Sequence, residues 1–356
     1  MGLLNKFAPD AFSSLFSEEL KNIFAVVFDC HFNLMFVGGC TRNYLTTGSL
    51  AYDLDAELRP ADGAQMCRSL WEERLLLLRG RLKELGHHME LAGVGVYKIQ
   101  LQDCDLEFST PRTEVYREGE WGHSNFDAHF NPNLETIKAF ERRDFTINAI
   151  GFLLSRSGVV LEDPFEGVAD LEQQVLKPVS ALFHRDPVRI LRALRFCLAL
   201  DFSFGKPLIT ELKLANFSEL TNHYIALEAK KVGIIRFLAF FQECQKEYHW
   251  QLPKSLMFLN EVSLVCVKNS LHSQAFPLFC ILFCTEASTQ NVTDFALVFG
   301  FKQREIKLAE KLIKRLRQES ELTLSNLEYE KLEGFGQGWM GPIANQLLRK
   351  LSQRLG

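Results

Sequence analysis

The sequence contains no long hydrophobic run. Its longest uncharged apolar stretch, Ala275–Cys284, is about ten residues long and contains Pro277, whereas a helix that crosses a bilayer needs about 20 apolar residues. The stretch therefore predicts a buried segment and not a membrane span. Residues 1–10 also lack a basic region followed by a long apolar one, so we expect no secretory signal.

Paired cysteine motifs are missing as well. The chain has nine cysteines but no C-x-x-C pair and no Cys/His spacing typical of zinc sites. Scattered thiols of this kind predict reduced core residues of a cytoplasmic protein. A phosphohydrolase pattern of the H…HD…D type is also lacking, which makes His87 and His88 a surface pair in a loop and not a metal site.

No strong charge excess or compositional bias is present. The 356 residues are 47% hydrophobic and 24% charged with a net charge of −4, which excludes a collagen-like or wholly disordered chain and argues against a generic nucleic-acid coat. The first 200 residues are net acidic and the remainder is net basic. This asymmetry suits a metal-holding half joined to a half that contacts a polyanion, although solvated helix faces would give the same pattern.

The segments that are present predict an α+β chain. Strand-like runs occur only in the first part, at Val26–Phe28, Leu34–Val37, Val94–Leu101, Leu106–Phe108 and Ile150–Leu154. Between them Cys67–Leu85 has helical apolar spacing, and Glu114–Asn133 is typical of a loop or flap. From about Pro187 the strand signals fade, and helices are predicted at 187–200, 226–243, 303–318 and 342–354. We expect a mixed β-sheet head with helices, followed by an all-helical part.

The first motif with chemical meaning begins at Gly38. A strand-like run enters Gly38-Gly39 and then a segment of helical character that contains Arg42. Glycines let the backbone approach a ligand, and a helix start offers unpaired N–H groups to a phosphate. By itself, a pair of glycines before a helix also suits a simple tight turn.

The second motif is Asp53-Leu54-Asp55. On a strand, residues i and i+2 point to the same face, so both carboxylates lie together. Mg²⁺ held by one or two carboxylates and by substrate phosphates is the usual arrangement in nucleotide chemistry. A solvated surface pair is the alternative, but an anion-binding turn followed by a two-carboxylate strand favours phosphoryl or nucleotidyl transfer.

Four ordered blocks resemble one known family. GGCTRNYLTTGSLAYDLD at 38–55, ERRDFTINA at 141–149, DPFEGVADL at 163–171 and FHRDPVRILRALRF at 183–196 are similar to the motifs of CCA-adding tRNA nucleotidyltransferases and bacterial poly(A) polymerases. PRTE at 111–114 looks like a loop of many bacterial members. The resemblance covers roughly residues 34–205. It implies a nucleotidyltransferase head (1–155), a helical neck that reads the base (156–225) and a helical body and tail for tRNA (226–356).

The resemblance also implies roles for individual residues. Asp53 and Asp55 would hold two Mg²⁺ ions, with Glu107 as a third catalytic carboxylate, although Glu107 also suits an exposed strand residue. The residues that would bind the nucleotide are Gly38, Gly39, Arg42, Arg143, Asp144, Asn148, Asp186, Arg189, Arg192 and Arg195. Alternatively, Arg143 and Asp144 pair at a strand edge. We interpret Asp163 and Asp170 as turn and capping residues.

The resemblance implies that Asp186 and Arg189 read the base of CTP and then ATP by hydrogen bonds. The two residues present an acceptor and a donor three positions apart. Asp186 before Pro187 is also a typical helix N-cap. Two positions depart from the family pattern: Asn43 replaces an Asp, and Arg185 replaces a Glu.

The implied function is addition of CCA to the 3′ end of tRNA in the cytoplasm. Alternatives are poly(A) polymerase, a CC-only or A-only enzyme, and a catalytically idle RNA-binding relative. The acceptor end of tRNA would be bound by phosphate contacts in the C-terminal half, for which a basic helix at 302–317 is a candidate, unless it is a solvated helix face.

Overall fold

The computed structural model describes residues 2–61, 65–116, 122, 126–218, 220–252, 299 and 307. The strands are β1 (Phe32–Val37), β2 (Asp53–Pro60), β3 (Glu90–Gly93), β4 (Val96–Gln100), β5 (Asp105–Ser109), β6 (Arg112–Tyr116), β7 (Phe126–Phe130), β8 (Gly151–Ser155), β9 (Gly158–Glu162), β10 (Val175–Leu176) and β11 (Ser203–Phe204). The α-helices are α1 (Leu3–Lys6), α2 (Pro9–Ser13), α3 (Glu18–Asp29), α4 (Gly39–Thr47), α5 (Arg68–Glu84), α6 (Thr136–Phe140), α7 (Gly167–Glu172), α8 (Pro187–Leu200), α9 (Lys206–Lys213), α10 (Asn222–Lys230) and α11 (Ile234–Tyr248). The helices predicted at 303–318 and 342–354, the basic helix and Ala275–Cys284 lie outside the described residues, apart from Lys307.

A seven-stranded mixed sheet organises the first part of the chain. Its strand order is β3-β4-β5-β2-β1-β8-β9, and β2 pairs with β5 in parallel while the other pairs are antiparallel. A separate antiparallel hairpin is formed by β6 and β7, and a short parallel pair by β10 and β11. The predicted fold class, a mixed-sheet head followed by helices, is confirmed.

The sequence of β2 explains how this sheet separates its core from its polar face. Leu54, Ala56 and Leu58 are at most 1% exposed, and the alternation of a strand turns them to one face. There an aromatic cluster packs on β1 and β8, made of Phe12, Phe16, Phe24, Phe36, Tyr44 and Phe152. The intervening acidic residues of β2 lie on the opposite face. Along β2, one face is thus filled by apolar packing, and the other carries the acidic residues.

Three predicted segments differ in the structure. Val26–Phe28 belongs to helix α3, since Leu20, Ile23, Phe24 and Val27 are buried at helical spacing and Ser17 caps the helix by accepting from the Leu20 N–H at 3.3 Å. The predicted loop at Glu114–Asn133 contains part of β6 and all of β7, which pair from Arg112/Phe130 to Tyr116/Phe126.

The predicted helix at 226–243 is divided into α10 and α11. Gly233 between them has a φ of +92°, which a continuous right-handed helix cannot contain.

Asp163 and Asp170 hold the segment that follows the sheet. Asp163 accepts the N–H groups of Gly167 (2.7 Å) and Val168 (2.9 Å) at the start of α7. Asp170 is 1% exposed and accepts from the Thr146 hydroxyl at 2.6 Å and from Lys177. Asp163 therefore caps α7, as predicted, whereas the capping or turn role predicted for Asp170 is wrong: Asp170 lies within α7 and joins this helix to Thr146 and Lys177.

Replacing Gly167 by Ala should destabilise the protein strongly. A Cβ at this position would lie 2.2 Å from the Thr146 carbonyl oxygen, and backbone cannot move aside as a flexible side chain can. We expect Gly167→Ala to lower the free energy of unfolding by about 3 kcal/mol, the upper end for overpacked cores, as measured by urea denaturation.

Gly80→Ala is the matched control. Gly80 lies inside α5, and its added Cβ would meet no described atom within 4 Å. Alanine is the better helix former, so stability should rise by about 0.5–1 kcal/mol. Equal effects of the two substitutions would contradict the close approach of α7 to Thr146.

The chain forms two compact units, Met1–Arg185 with Asp201–Glu211, and Asp186–Leu200 with Leu212–Gly356. In the second unit an aromatic cluster joins Phe217, Phe241 and Trp250, and the Trp250 Nε1–H donates to the Leu212 carbonyl at 2.6 Å. The predicted head boundary at residue 155 falls between β8 and β9, which pair within the sheet of the first unit. Among the described residues, none of the helices combines the length and apolar character needed to span a bilayer.

Candidate active site

The polar face of the sheet brings the predicted carboxylates together. Asp53 and Asp55 stand on β2, and the parallel neighbour β5 places Asp105 opposite Asp53 and Glu107 opposite Asp55. Burial raises the pKa of Asp55, and the charge of Asp53 adds to this. Desolvation likewise raises the pKa of Glu107, with a contribution from Asp55. Glu107 is thus a neighbour of Asp55 on a shared face.

The Gly38 turn meets this cluster at the start of α4. Gly38 has a φ of +74°, which favours glycine, and a Cβ there would lie 3.3 Å from Arg143 Nη1 and 3.6 Å from Asp55 Oδ2. The turn, Arg143 and Asp55 therefore converge on one place. The N–H groups at the start of a helix such as α4 make this place suitable for a phosphate.

A hydrogen-bonded chain joins three further predicted residues. Arg42 donates from Nη1 to Asn148 Oδ1, and Asn148 Nδ2 donates to Asp144 Oδ1 at 2.8 Å. Asp144 Oδ1 also accepts the Phe145 N–H at 2.8 Å. These hydrogen bonds thus fix the block at 38–55, which contains α4, to the block at 141–149.

Residues 34–177 match the sequence model of the poly A polymerase head domain. A multifunctional CCA protein of Xylella fastidiosa (strain 9a5c) is 38% identical over 110 residues, which are 30% of this chain and 26% of that protein. A CCA-adding enzyme of Streptococcus thermophilus (strain CNRZ 1066) is 30% identical over 224 residues, 62% of this chain and 47% of that enzyme. This chain is thus similar in sequence to poly A polymerase head domains and to CCA-adding proteins.

Solved structures of tRNA-processing and CCA-adding enzymes share the fold. A tRNA-processing enzyme in an apo form has a TM-score of 0.62 at 19% identity, covering 96% of this chain and 90% of its own. The CCA-adding enzyme of Bacillus stearothermophilus in complex with CTP has a TM-score of 0.60 at 17% identity, covering 94% and 82%. The matched segments span only about a quarter to a half of the two relatives described above.

Glu57 is a member of the site that sequence reasoning missed. Its side chain is fully buried on the same face as Asp53 and Asp55, and it pairs with Arg59 (2.7 Å), Arg142 (3.0 Å) and Arg143 (3.4 Å). Although burial alone would raise the pKa of Glu57, the three guanidinium groups hold it below its usual range. Because Arg143 also reaches the Gly38 turn, Glu57 helps to fix a residue that the family resemblance assigns to nucleotide contact. The sequence does contain a signal for Glu57, because the alternation of acidic residues at Asp53 and Asp55 continues to Glu57.

Arg142 extends this network to the β6–β7 hairpin. Its guanidinium lies 3.0 Å from Glu57 and 3.9 Å from Glu114 of β6, which also pairs with Arg112 at 2.8 Å. Burial lowers the pKa of Arg142 to about 10, and the positive charge of Arg143 adds to this. The first arginine of the RRD block is thus an anchor for the PRTE segment.

The remaining predicted residues belong to the second unit. Asp186 Oδ1 accepts the Val188 N–H at 2.9 Å, so Asp186 caps α8, and Arg189 Nε lies 3.8 Å from Asp186 Oδ2. Arg192 and Arg195 both lie over the Phe196 ring, and Arg195 pairs with Glu228. The acceptor and the donor of the predicted base-reading pair are therefore adjacent.

At the two departures from the family pattern, the Asn43 side chain and the Arg185 carbonyl make contacts with residues other than the carboxylates. Asn43 Nδ2 donates to the Ser49 carbonyl at 2.8 Å, a contact that a carboxylate could not make. It stabilises the loop that leads from α4 into β2. The Arg185 carbonyl accepts the Gly122 N–H at 3.0 Å.

The donor set fits a cation that substrate oxygens help to hold. Among the described residues, no three His, Cys, Asp or Glu side chains enclose a metal by themselves. Asp53 and Asp55 offer neighbouring carboxylates whose repulsion a cation would relieve, and the Gly38 turn beside them suits a phosphate. Mg²⁺ is typically bound in this way, by one or two carboxylates together with phosphate oxygens and water.

Proposed function

We propose that the protein adds the nucleotides C, C and A to the 3′ end of tRNA, using CTP and ATP and no nucleic-acid template. One observation carries the proposal: Asp53, Asp55 and Glu107 share one face of two parallel strands, next to the Gly38 turn that Arg143 reaches. CCA-adding relatives, and similarly folded enzymes described with CTP or with a primer tRNA and an ATP analogue, support this substrate class.

Asp53 and Asp55 would hold Mg²⁺, with Glu107 as the third carboxylate. When bound there, Mg²⁺ would lower the pKa of the RNA 3′-hydroxyl and neutralise charge on the departing pyrophosphate. Glu107 opposite Asp55 contributes negative charge that orients the reacting groups. The three carboxylates would thus take part in nucleotidyl transfer and would not be a solvated surface cluster.

The other residues bind and orient the nucleotide. Backbone N–H groups of the Gly38-Gly39 turn and the guanidinium groups of Arg42 and Arg143 would hold the triphosphate. Asn148 and Asp144 would position the ribose or brace Arg42, to which they are already joined.

From the second unit, Asp186 and Arg189 would form hydrogen bonds with the base, and Arg192 and Arg195 would contact phosphates. The division into head (1–155), neck (156–225) and body (226–356) also remains a proposal.

Poly(A) polymerase is the second candidate, because the matching head-domain family bears that name. The two activities differ in product length and in the choice of RNA, so one assay separates them.

With Mg²⁺ and a tRNA that ends before its CCA, the purified full chain should add two C residues and one A and then stop. Each labelled nucleotide is supplied alone and in combination, and products are resolved on a sequencing gel. CTP alone should give a product extended by two residues, and ATP alone should give none. A tRNA that already ends in CC should accept one A.

Each contrary product identifies an alternative. Unlimited A addition to any RNA would indicate a poly(A) polymerase, and a stop after CC would indicate a CC-only enzyme. Addition of A only to a tRNA ending in CC would indicate an A-only enzyme. Retained tRNA binding without incorporation would indicate an idle RNA-binding relative.

A further inference from the structure

A lysine stands at the outer edge of the carboxylate cluster. The register of the sheet aligns Asp55 of β2, Glu107 of β5 and Lys98 of β4 in one row. Lys98 Nζ lies 2.5 Å from Asp105 Oδ2 and 3.8 Å from Glu107 Oε1. Its side chain is 35% exposed, so the ammonium group reaches the acids from the solvent side.

The two acids next to Lys98 repeat the arrangement on β2. Asp105 and Glu107 are two positions apart on a strand parallel to β2, in register with Asp53 and Asp55. The sheet therefore displays two carboxylate pairs of the same spacing on the same face. Either pair could attract a divalent cation, because closely spaced carboxylates repel each other unless a positive charge lies between them.

One oxygen of the Asp105–Glu107 pair lacks a hydrogen-bond partner among the described residues. Asp105 is 9% exposed, and its Oδ1 is buried with no hydrogen-bond partner among the described residues. Its Oδ2 faces Lys98. An unpartnered buried carboxylate oxygen of this kind attracts a cation unless a neighbouring positive charge offsets it.

We propose that Lys98 is a positioning residue that neutralises Asp105 and holds Glu107, so that divalent cations bind at the Asp53–Asp55 pair and not at the Asp105–Glu107 pair. The role rests on the proposed function, since it concerns the cations of that reaction. Lysine suits this role because its compact ammonium group has three donors and can contact both acids.

The sign of the effect of substituting Lys98 follows from its charge. Replacing Lys98 by Met keeps an apolar stem of similar length and removes the positive charge. The outer carboxylates then bind a cation more readily, so K98M should bind Mn²⁺ about thirtyfold more tightly or bind one additional ion. This magnitude corresponds to removal of one unit charge at about 4 Å from a divalent cation in a solvated site. K98R keeps the charge and should resemble the unmodified protein.

The test is Mn²⁺ binding to the full chain in the absence of nucleotide and RNA, followed by electron paramagnetic resonance and by titration calorimetry. K98M should gain affinity or stoichiometry, and the double variant K98M/D105N should lose that gain because the outer pair is then broken. K138M is the matched control, since Lys138 also pairs with a carboxylate, Glu141 at 2.6 Å, but lies outside the cluster.

Unchanged or weaker Mn²⁺ binding in K98M would overturn the proposal, as would an equal gain in K138M. Failure of the proposed function is a separate result, because incorporation into tRNA by the unmodified protein is measured independently of Mn²⁺ binding. A gain of Mn²⁺ binding in K98M supports the assignment of Lys98 even if the unmodified protein incorporates no nucleotide.

Discussion

Asp55→Asn should reduce nucleotide incorporation by about a thousandfold while the protein stays folded. Asparagine keeps the size of the side chain but removes the charge that would hold the divalent cation. Loss of metal-derived stabilisation of the transition state amounts to several kcal/mol, and about 4 kcal/mol corresponds to a factor of a thousand. The measurement is single-turnover incorporation of labelled CTP into a tRNA that ends before its CCA.

The fold should tolerate this substitution. Burial and the neighbouring Asp53 both disfavour the charge of Asp55, so a neutral amide should leave the urea midpoint unchanged or raise it slightly. Asp103→Asn is the matched control, because Asp103 is exposed in the turn before β5 and should keep full activity. Near-normal incorporation by Asp55→Asn would exclude Asp55 from the reaction, and an equal loss in Asp103→Asn would show that the loss is not specific to Asp55.

The local part of the site could be predicted from the sequence, because it depends on periodicity. The alternation in Asp53-Leu54-Asp55 specifies a strand with both acids on one face, and β2 begins at Asp53. The helix predicted at Cys67–Leu85 is also confirmed, with α5 at Arg68–Glu84. In these segments, apolar residues recur at the period of the element that they form.

The other contacts could not be predicted, because they depend on chain segments that are distant in sequence. Glu57 and Arg142 are 85 positions apart, and nothing in either local pattern specifies their ion pair. The register of β4, β5 and β2, which aligns Lys98 with Glu107 and Asp55, is likewise a property of the assembled sheet. The apolar run Val26–Phe28 was wrongly predicted as a strand because three residues are too few to distinguish a period of 2 from one of 3.6.

Glu57→Gln should be among the most destabilising single substitutions in the first unit. The carboxylate is fully buried, and its two oxygens face the guanidinium groups of Arg59, Arg142 and Arg143. An amide of the same shape removes the charge and leaves three closely spaced cations without it. Removing one partner of a buried ion pair typically lowers the free energy of unfolding by about 3–5 kcal/mol, and urea denaturation would measure this loss.

Glu72→Gln is the control, because it removes an exposed ion pair in place of the buried one at Glu57. Glu72 pairs with Arg68 at 2.8 Å, but its side chain is 56% exposed, and exposed pairs contribute at most about 1 kcal/mol. Glu72→Gln should therefore change stability by less than about 1 kcal/mol. If Glu57→Gln were equally mild, the three arginines would have to find other acceptors or water. Arg143 would then reach the Gly38 turn without help from Glu57, and the position of its guanidinium group would depend on Phe140, over whose ring Arg143 lies at 5.2 Å.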